Sequence, residues 1–272
     1  MSDVSLVVIM PVYNANKYVG KAIESILNQT FFRFQLIIIN DGSSDDTSSI
    51  LSYYQKNDRR IKVITNSKNI GLTRSLNRGI NMTESDLVAR MDSDDVSLPE
   101  RFRAQVDFLT NHNNYAMVGV AWKEMTSDLK KTIRVMRPPV SYAEIKKKIL
   151  IKNTFCHSAV MMRRKLLASV GGYDTKDLYS QDYDLWLRLI SSYKVSNIKD
   201  VLHLRRIHNE NLSHKNLKDQ LHTMARSQKQ YISITCKPRI YNVYVLKSVL
   251  LSRMPLSVLS LLNRLNIRRK PF

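Results

Sequence analysis

Three aspartates, Asp92, Asp94 and Asp95, occupy four consecutive positions in the segment ARMDSDDVSLPERF at 89–102. Carboxylates this close repel one another unless a cation or a cationic side chain lies between them. In an extended segment Asp92 and Asp94 point to one side and Asp95 to the other. Carboxylate oxygens with no adjacent Cys or His favour Mg²⁺ or Mn²⁺ over zinc. The segment predicts a divalent-cation site, with capping of the following helix by Asp95 as the alternative.

A second acidic group follows another apolar run, in NDGSSDDT at 40–47. Asp41 comes where the run LIIIN ends, and its carboxylate can accept bonds from N–H or hydroxyl groups of a ligand. Gly42 lets the backbone turn sharply there. Asp45 and Asp46 have a simpler explanation, because acidic residues in the first turn of a helix offset its dipole. Asp41 is therefore the candidate for ligand binding.

The first apolar run ends in a similar way, in MPVYNANKY at 10–18. Pro11 has no N–H and suits the end of a strand. Tyr13 offers a flat face on which a base can stack, although plain packing is the commoner role of a tyrosine.

Alternating elements are expected to bring these strand ends together. LVVIM at 6–10 and LIIIN at 36–40 are typical of strands buried on both faces of a parallel sheet. The other predicted strands lie at 61–65, 86–91, 116–122 and 157–164. Helices are predicted at 18–28, 46–55, 72–82, 97–110 (capped by Ser97, with Glu100 completing a capping box), 165–170 (ended by Gly171 and Gly172) and 183–190. This alternation predicts an open α/β sheet with a nucleotide-sized ligand at the carboxyl ends of its strands.

The composition is that of a globular chain, but the charge is unevenly distributed. The 272 residues carry a net charge of +20. Residues 1–100 hold 11 Lys and Arg against 12 Asp and Glu, whereas residues 201–272 hold 14 against 2. Such asymmetry indicates an anionic surface met by the C-terminal part: lipid, nucleic acid or a phosphorylated substrate.

The cellular location is predicted from cysteine content and from the lack of a recognisable signal peptide or membrane span. Two cysteines give no disulfide framework and fit a reducing compartment. The N-terminus does not look like a signal peptide, and no stretch approaches the roughly 18 apolar residues of a membrane span. The segment 240–270 mixes Leu and Val with Lys and Arg around Pro255, and predicts two amphipathic helices for a membrane interface. The alternative is a helical pair packed on the rest of the protein.

Five segments, in this order, carry a resemblance to a known family: VVIMPVYNANKYVGKAIESILNQT, LIIINDGSSDDT, NIGLTRSLNRGI, ARMDSDDVSLPERF and QDYDLWLRL. Over roughly residues 5–215 the chain resembles the family 2 inverting glycosyltransferases, in the style of bacterial O-antigen and capsule enzymes. The resemblance implies an α/β fold of the GT-A (Rossmann-like) type, a mostly parallel open sheet with flanking helices. We expect a catalytic domain at 1–215 and a basic, helical C-terminal appendage at 216–272.

The resemblance also implies a site for a UDP-sugar and a divalent metal, Mn²⁺ or Mg²⁺. Its nucleotide-sugar-binding residues correspond to Pro11, Tyr13, Asn14, Asp41, Arg74 and Asp92 in this sequence. Asp92 would contact the ribose, and Asp94 would bind the metal. His208 lies in RRIHNENLSH at 205–214, which resembles the family's late R-x-H segment, and it is a candidate for the metal or the diphosphate, against a structural role.

The general base of the family usually comes from a Glu-Asp pair at the start of a helix. Here the pair is Gln181-Asp182, so Asp182 is the candidate. Asp184 instead faces Arg188 four residues on, which predicts a surface ion pair. His157 is expected to be a wall residue of the acceptor side, and Trp186 to pack in the core.

The expected activity is transfer of a hexose, galactose or glucose above all, or of an N-acetylhexosamine. The expected acceptor is an oligosaccharide on undecaprenyl diphosphate at the cytoplasmic face of the membrane. Two alternatives stay open: a sugar-1-phosphate nucleotidyltransferase, which usually has a glycine-rich loop where this chain has PVYNANK, and a basic nucleic-acid-binding protein. Acidic strand ends do not suit the second, and we expect no nucleic-acid partner.

Overall fold

Nine strands form one mixed sheet in the part of the chain that the structure describes. A computed structural model describes residues 5–176, 179–208, 217–235, 245–246 and 249–251. The strands are β1 (Leu6–Val12), β2 (Phe34–Asn40), β3 (Ile61–Thr65), β4 (Leu87–Arg90), β5 (Val96–Ser97), β6 (Tyr115–Met125), β7 (Thr132–Met136), β8 (Met161–Arg163) and β9 (Lys194–Arg206). Their order is β3-β2-β1-β4-β8-β6-β9-β5, and β7 pairs with β6 beside this path.

Helices cover both faces of this sheet. They are α1 (Val19–Leu27), α2 (Thr47–Asn57), α3 (Leu72–Asn81), α4 (Arg101–Asn111), α5 (Tyr142–Lys148), α6 (Arg164–Ser169), α7 (Gln181–Ser192) and α8 (Leu217–Thr235), with a 3₁₀ turn at His157–Ala159.

The first half of the sheet consists of β1 to β4, all parallel, with β1 between β2 and β4. All seven residues of β1 are buried. Alternate side chains enter opposite layers: Val7 and Ile9 pack with α3, while Val8 and Met10 pack with α1. Each fully buried Val or Ile contributes about 1.5–3 kcal/mol. Burial on both faces therefore fixes the position of the strand ends that carry the polar residues.

The second half of the sheet is mixed, because β8 inserts antiparallel between β4 and β6. The long β6 then pairs parallel with β9 and antiparallel with β7, and β5 pairs antiparallel with β9. The predicted parallel sheet therefore describes β1 to β4, and the sequence patterns did not predict β5, β7 or β9.

Two predicted elements were wrong in detail. The strand predicted at 157–164 is reduced to β8, because the backbone at 157–159 turns in a 3₁₀ helix with Ala159 N–H bonded to the carbonyl of Cys156. The helix predicted to be capped by Ser97 begins at Arg101 with Glu100 at its N-cap, so neither Ser97 nor Asp95 caps it. Ser97 lies in β5, and its hydroxyl accepts a bond from Gln29 Nε2.

The start of the predicted C-terminal appendage is helical and packs on the preceding domain. In α8, Gln228 donates to the carbonyl of Leu150 and to the hydroxyl of Tyr183, and Tyr231 is buried. The amphipathic helices predicted at 240–270 fall outside the described residues, apart from 245–246 and 249–251. Among the described helices, none combines the length and the apolar character needed to cross a membrane.

Candidate active site

The carboxyl ends of β1 and β2 carry a connected set of polar groups. Asp41 N–H bonds to the carbonyl of Val12, which joins the two strand ends. Asn14 has a left-handed backbone (φ 47°), donates its N–H to Ser43 Oγ and accepts from Ser44 N–H. The two loops are therefore held together at the same edge of the sheet. Pro11 is buried at this edge within β1.

Asp41 is buried and organises the loop that leads into α3. Its Oδ1 accepts from Asn66 Nδ2 at 2.6 Å and from the N–H of Ile70 at 2.9 Å, and its Oδ2 accepts from the N–H of Gly71 at 2.9 Å. A carboxylate oxygen has two lone pairs, so Oδ2 can accept one more donor. The side chain is thus fixed in place before any ligand arrives.

Tyr13 and Arg74 present exposed side chains beside these loops. Tyr13 is 49% exposed, which leaves a ring face open to a flat ligand. Arg74 is exposed on the first turn of α3, which follows directly after the loop that Asp41 organises.

One carboxylate oxygen from each of Asp92, Asp94 and Asp95 lies within 4.8 Å of the others, directly after β4. Each carboxylate has a different cationic or donor partner. Asp92 Oδ1 is 2.5 Å from Arg90 Nη2, and Asp94 Oδ2 is 2.8 Å from His208 Nε2. These partners offset part of the repulsion among the three carboxylates.

Asp95 has a structural role. Its Oδ2 accepts from the Ser158 hydroxyl at 2.5 Å and lies 2.9 Å from His203 Nε2, and its Oδ1 accepts from the N–H of Arg206. Burial by itself would raise the pKa of Asp95, but these hydrogen bonds outweigh it and lower the pKa to about 2. The loop that carries Asp92, Asp94 and Asp95 is called the aspartate loop below. The ionised Asp95 connects it to the 3₁₀ turn and to β9.

Asp94 and His208 form the part of the cluster that best fits a divalent ion. Burial raises the pKa of Asp94 to about 6, against the opposing effect of the His208 hydrogen bond. The His208 ring lies 5.1 Å from the ring of Tyr18, and the guanidinium of Arg206 lies over that same ring. Carboxylate oxygens with one imidazole nitrogen form a donor set that suits Mn²⁺ or Mg²⁺. Asp95 is the least suited of the three as a ligand, because its side chain is buried, its Oδ2 already has two partners and its Oδ1 accepts from Arg206 N–H.

Asp182 lies on the first turn of α7, where its Oδ2 accepts from Asn153 Nδ2 at 2.9 Å. Burial raises its pKa, and the charge of Arg90 and the hydrogen bond from Asn153 act in the opposite direction. Asp184 pairs with Arg188 at 2.8 Å, four residues on along the helix. Asp184 is thus neutralised by an arginine, whereas Asp182 forms no ion pair among the described residues.

Arg90 is a residue that the sequence analysis missed. It ends β4 and is 2% exposed, and one edge of its guanidinium binds Asp92. Its Nε and Nη1 are buried and have no hydrogen-bond partner among the described residues. Its charge also acts on Asp182 of α7, where it opposes part of the rise in pKa that burial causes. An arginine closing an otherwise apolar strand, LVAR, was the available signal.

His157 and Trp186 form the wall near Asp182. His157 Nε2 is 2.9 Å from the hydroxyl of Tyr173, and burial with the nearby Arg90 charge lowers the pKa of His157 well below its usual value. Trp186 is fully buried, with its ring 5.9 Å from that of His157. A neutral histidine and a buried tryptophan suit a supporting wall.

A model of the glycosyl transferase family 2 domain matches residues 7–171. The chain belongs to this family. It is 36% identical over 208 residues to the O-antigen biosynthesis glycosyltransferase WbnJ of Escherichia coli, covering 75% of this chain and 80% of that protein. It is 31% identical over 199 residues to a UDP-Gal:alpha-D-GlcNAc-diphosphoundecaprenol beta-1,3-galactosyltransferase of the same organism, covering 72% and 71%.

The fold is similar to that of a solved structure that holds a nucleotide sugar. S. aureus TarS 1–349 in complex with UDP-GlcNAc matches with a TM-score of 0.69 at 18% identity, over 85% of this chain and 70% of that one. This likeness confirms the predicted α/β fold of the GT-A type. Family membership makes the chain a glycosyltransferase and favours this interpretation over the nucleotidyltransferase and the nucleic-acid-binding protein.

Proposed function

We propose that this family 2 enzyme is an inverting transferase in bacterial polysaccharide biosynthesis that uses a UDP-sugar. It moves galactose or glucose, or an N-acetylhexosamine, to a hydroxyl of an oligosaccharide on undecaprenyl diphosphate. The observation that carries the proposal is the cluster of Asp92, Asp94 and Asp95 at the sheet edge after β4, where Asp94 Oδ2 lies 2.8 Å from His208 Nε2. The named substrates of the galactosyltransferase relative and the UDP-GlcNAc held by TarS support the choice of donor and acceptor.

The donor binds at the carboxyl ends of β1, β2 and β4 in this proposal. The base stacks on Tyr13 and donates a hydrogen bond to the open lone pair of Asp41 Oδ2. Pro11 and Asn14 shape this edge, and Asp92 accepts from the ribose. Arg74, exposed on α3, lies near the nucleotide.

Asp94 and His208 are the residues that hold the divalent metal in this proposal. When bound, Mn²⁺ or Mg²⁺ stabilises the negative charge that builds on a leaving diphosphate. The protein holds Asp94 next to His208, and the contact of Asp95 with His203 fixes the aspartate loop to β9.

Asp182 acts as the general base. It takes the proton of the acceptor hydroxyl as that oxygen bonds to the anomeric carbon, and the bond from this carbon to the nucleoside diphosphate breaks. The attack comes from the side opposite to the leaving group, so an α-linked donor gives a β-linked product. Asn153 holds one oxygen of Asp182, which leaves the other for the proton.

The C-terminal part is proposed to bring the enzyme to its acceptor. We assign the catalytic domain to 1–215 and a basic appendage to 216–272, which contains 11 Lys and Arg and a single acidic residue, Asp219. Each cation near an anionic membrane contributes about 1 kcal/mol of binding. Peripheral attachment at the cytoplasmic face follows from this charge.

A screen of UDP-sugars with a lipid-linked diphosphate acceptor tests the proposed function. We expect transfer with one UDP-hexose or UDP-N-acetylhexosamine and an inverted anomeric configuration in the product. Retention of configuration, or transfer only from donors without a nucleoside diphosphate, would contradict it.

A further inference from the structure

Two arginines and a glutamate form a row across three strands of the second half of the sheet. The strand register sets Glu124 of β6 opposite Arg134 of β7 on one side and opposite Arg205 of β9 on the other. The carboxylate of Glu124 lies 3.4 Å from Arg134 Nε and 3.5 Å from Arg205 Nη1. One carboxylate therefore serves two guanidinium groups.

Lys152 adds a third cation to this row. Partial burial lowers the pKa of Lys152 and the charge of Arg134 lowers it further, while the charge of Glu124 raises it. Three cations thus lie around the carboxylate of Glu124. Lys152 is exposed, and the side chains of Arg134 and Arg205 are 22% and 31% exposed, so an incoming ligand can reach all three.

The chain connects the cation cluster (Arg134, Lys152 and Arg205) to the proposed general base through one residue, Asn153. Lys152 directly precedes Asn153, whose side chain donates to Asp182. The pKa of Arg205 responds to the charges of Asp95 and Asp92, which places this arginine near the aspartate loop as well.

Strand alternation separates this cluster from the metal candidates. Arg206, the next residue on β9, points to the other face, where its Nε donates to the carbonyl of Asp94 and its guanidinium covers Tyr18. Arg205 and Glu124 thus occupy the opposite side of the strand from Asp94 and His208.

We propose that the cation cluster of Arg134, Lys152 and Arg205 is a binding site for a diphosphate group. The proposal rests on the proposed function and deepens it. A diphosphate that links a lipid to a sugar carries two negative charges and several acceptor oxygens, which match two guanidinium forks and an ammonium group. The acceptor and the donor each contain a diphosphate, and the experiment separates these two sources.

The variant Lys152→Gln tests the site in the full-length enzyme, because an exposed side chain can be replaced without disturbing the core. Lys152→Arg is the conservative variant, and Lys62→Gln on the far edge strand β3 is the matched control. Each is assayed with one acceptor sugar carried on a lipid diphosphate and with the same sugar on a neutral alkyl chain. UDP affinity is measured alongside.

For the acceptor as the source, we expect Lys152→Gln to raise KM for the diphosphate acceptor roughly tenfold, the effect of losing one charged contact. KM for the neutral acceptor and the affinity for UDP stay unchanged, Lys152→Arg retains most of the binding, and Lys62→Gln behaves like the wild type. Weaker UDP binding with an equal loss for both acceptors would assign the cluster to the donor diphosphate. No change in any of these measurements would overturn the diphosphate site.

Titration with inorganic pyrophosphate in EDTA gives a readout independent of activity. We expect Lys152→Gln and Arg134→Gln to bind it roughly tenfold more weakly than the wild type and Lys62→Gln. Equal binding by all four proteins overturns the site. If the enzyme binds UDP and transfers sugar while the cluster variants match the control, only this inference fails. If the wild type neither binds UDP nor transfers sugar, the proposed function fails, and the pyrophosphate result still decides the cluster.

Discussion

The two halves of the sheet carry different kinds of residues. The first, β1 to β4, is parallel, and its strand ends hold Tyr13, Asn14 and Asp41 in loops that are hydrogen-bonded to one another. The second, β5 to β9, is mixed and faces α7 with Asp182 and the cation cluster. Under the proposed function, the first half recognises the donor and the second half recognises the acceptor. Changes in the first half should therefore alter nucleotide binding, and changes in the second should alter transfer.

The sharpest division is expected from Asp182→Asn. Removing a general base lowers the rate about 10²–10⁴-fold, so kcat should fall by a factor in that range. The affinity for UDP should stay within roughly twofold of the wild type. Steady-state transfer assays and UDP titration measure the two effects. The exposed Asp200→Asn on β9 is the matched control. Near-normal transfer by Asp182→Asn would remove this residue from the mechanism.

Asp94→Ala, unlike Asp182→Asn, should weaken binding of the donor. Loss of a ligand weakens metal-dependent donor binding by roughly 100-fold, since even the loss of groups behind a ligand costs 10–100-fold. The pairing with His208 also disappears. Isothermal titration with UDP and Mn²⁺ measures the change. A metal-dependent affinity equal to that of the wild type would exclude Asp94 as a ligand.

Arg90 joins the two halves, so its variants should affect both. Arg90→Lys keeps the charge but loses the planar fork on Asp92, and donor KM should rise roughly tenfold. Arg90→Gln also removes the charge that lowers the pKa of Asp182, so the acid limb of the rate profile should move to higher pH. An unchanged limb in Arg90→Gln would show that Arg90 does not act on the base.

Asp182 also makes a prediction for stability against pH. Its pKa is raised in the folded protein, so the native state binds the proton more tightly than the unfolded chain does. This contribution to stability is present at low pH and is lost as the pH rises through the folded-state pKa. Asp182→Asn should therefore have a higher Tm than the wild type at neutral pH, with the gap closing on acidification. A gap that widens on acidification would contradict the raised pKa.

A smaller effect is expected at the turn beside Asp41. Gly42 has φ +71°, and a Cβ there would lie 2.7 Å from the backbone carbon of Lys68. Gly171 has φ +85° but open space around it. Gly171→Ala should cost about 1–2 kcal/mol for the backbone alone, and Gly42→Ala should cost more. Urea unfolding measures the free energy of unfolding of both variants. Equal losses would mean that the backbone near Lys68 can move away from the added Cβ at little cost.

The sequence predicted the first half better than the second for a physical reason. Strands buried on both faces, such as β1 and β2, are continuous apolar runs, and the polar residues after them mark the sheet edge. In β9 buried, half-buried and exposed residues follow one another without a regular period over thirteen positions, and β5 has only two residues. Such strands form because they pair with strands that are distant in the sequence, and the pattern of a single segment does not show this pairing.

The candidate site shows the same limit. Asp41, Asp92 and Asp94 follow apolar runs and were found from position, whereas Asp182 and His208 were identified through the family resemblance. Arg90 and the cation cluster were missed, because their roles depend on cross-strand neighbours such as Glu124. Long-range pairing decides which charges meet.

The central claim is that the edge after β4 holds a nucleoside diphosphate through a divalent ion on Asp94 and His208. Titration of the wild-type protein with UDP, in Mn²⁺ and then in EDTA, tests it most directly. The account predicts saturable one-to-one binding in Mn²⁺ and a large loss of affinity in EDTA. UDP binding of equal strength in both, or no UDP binding in either, would contradict it.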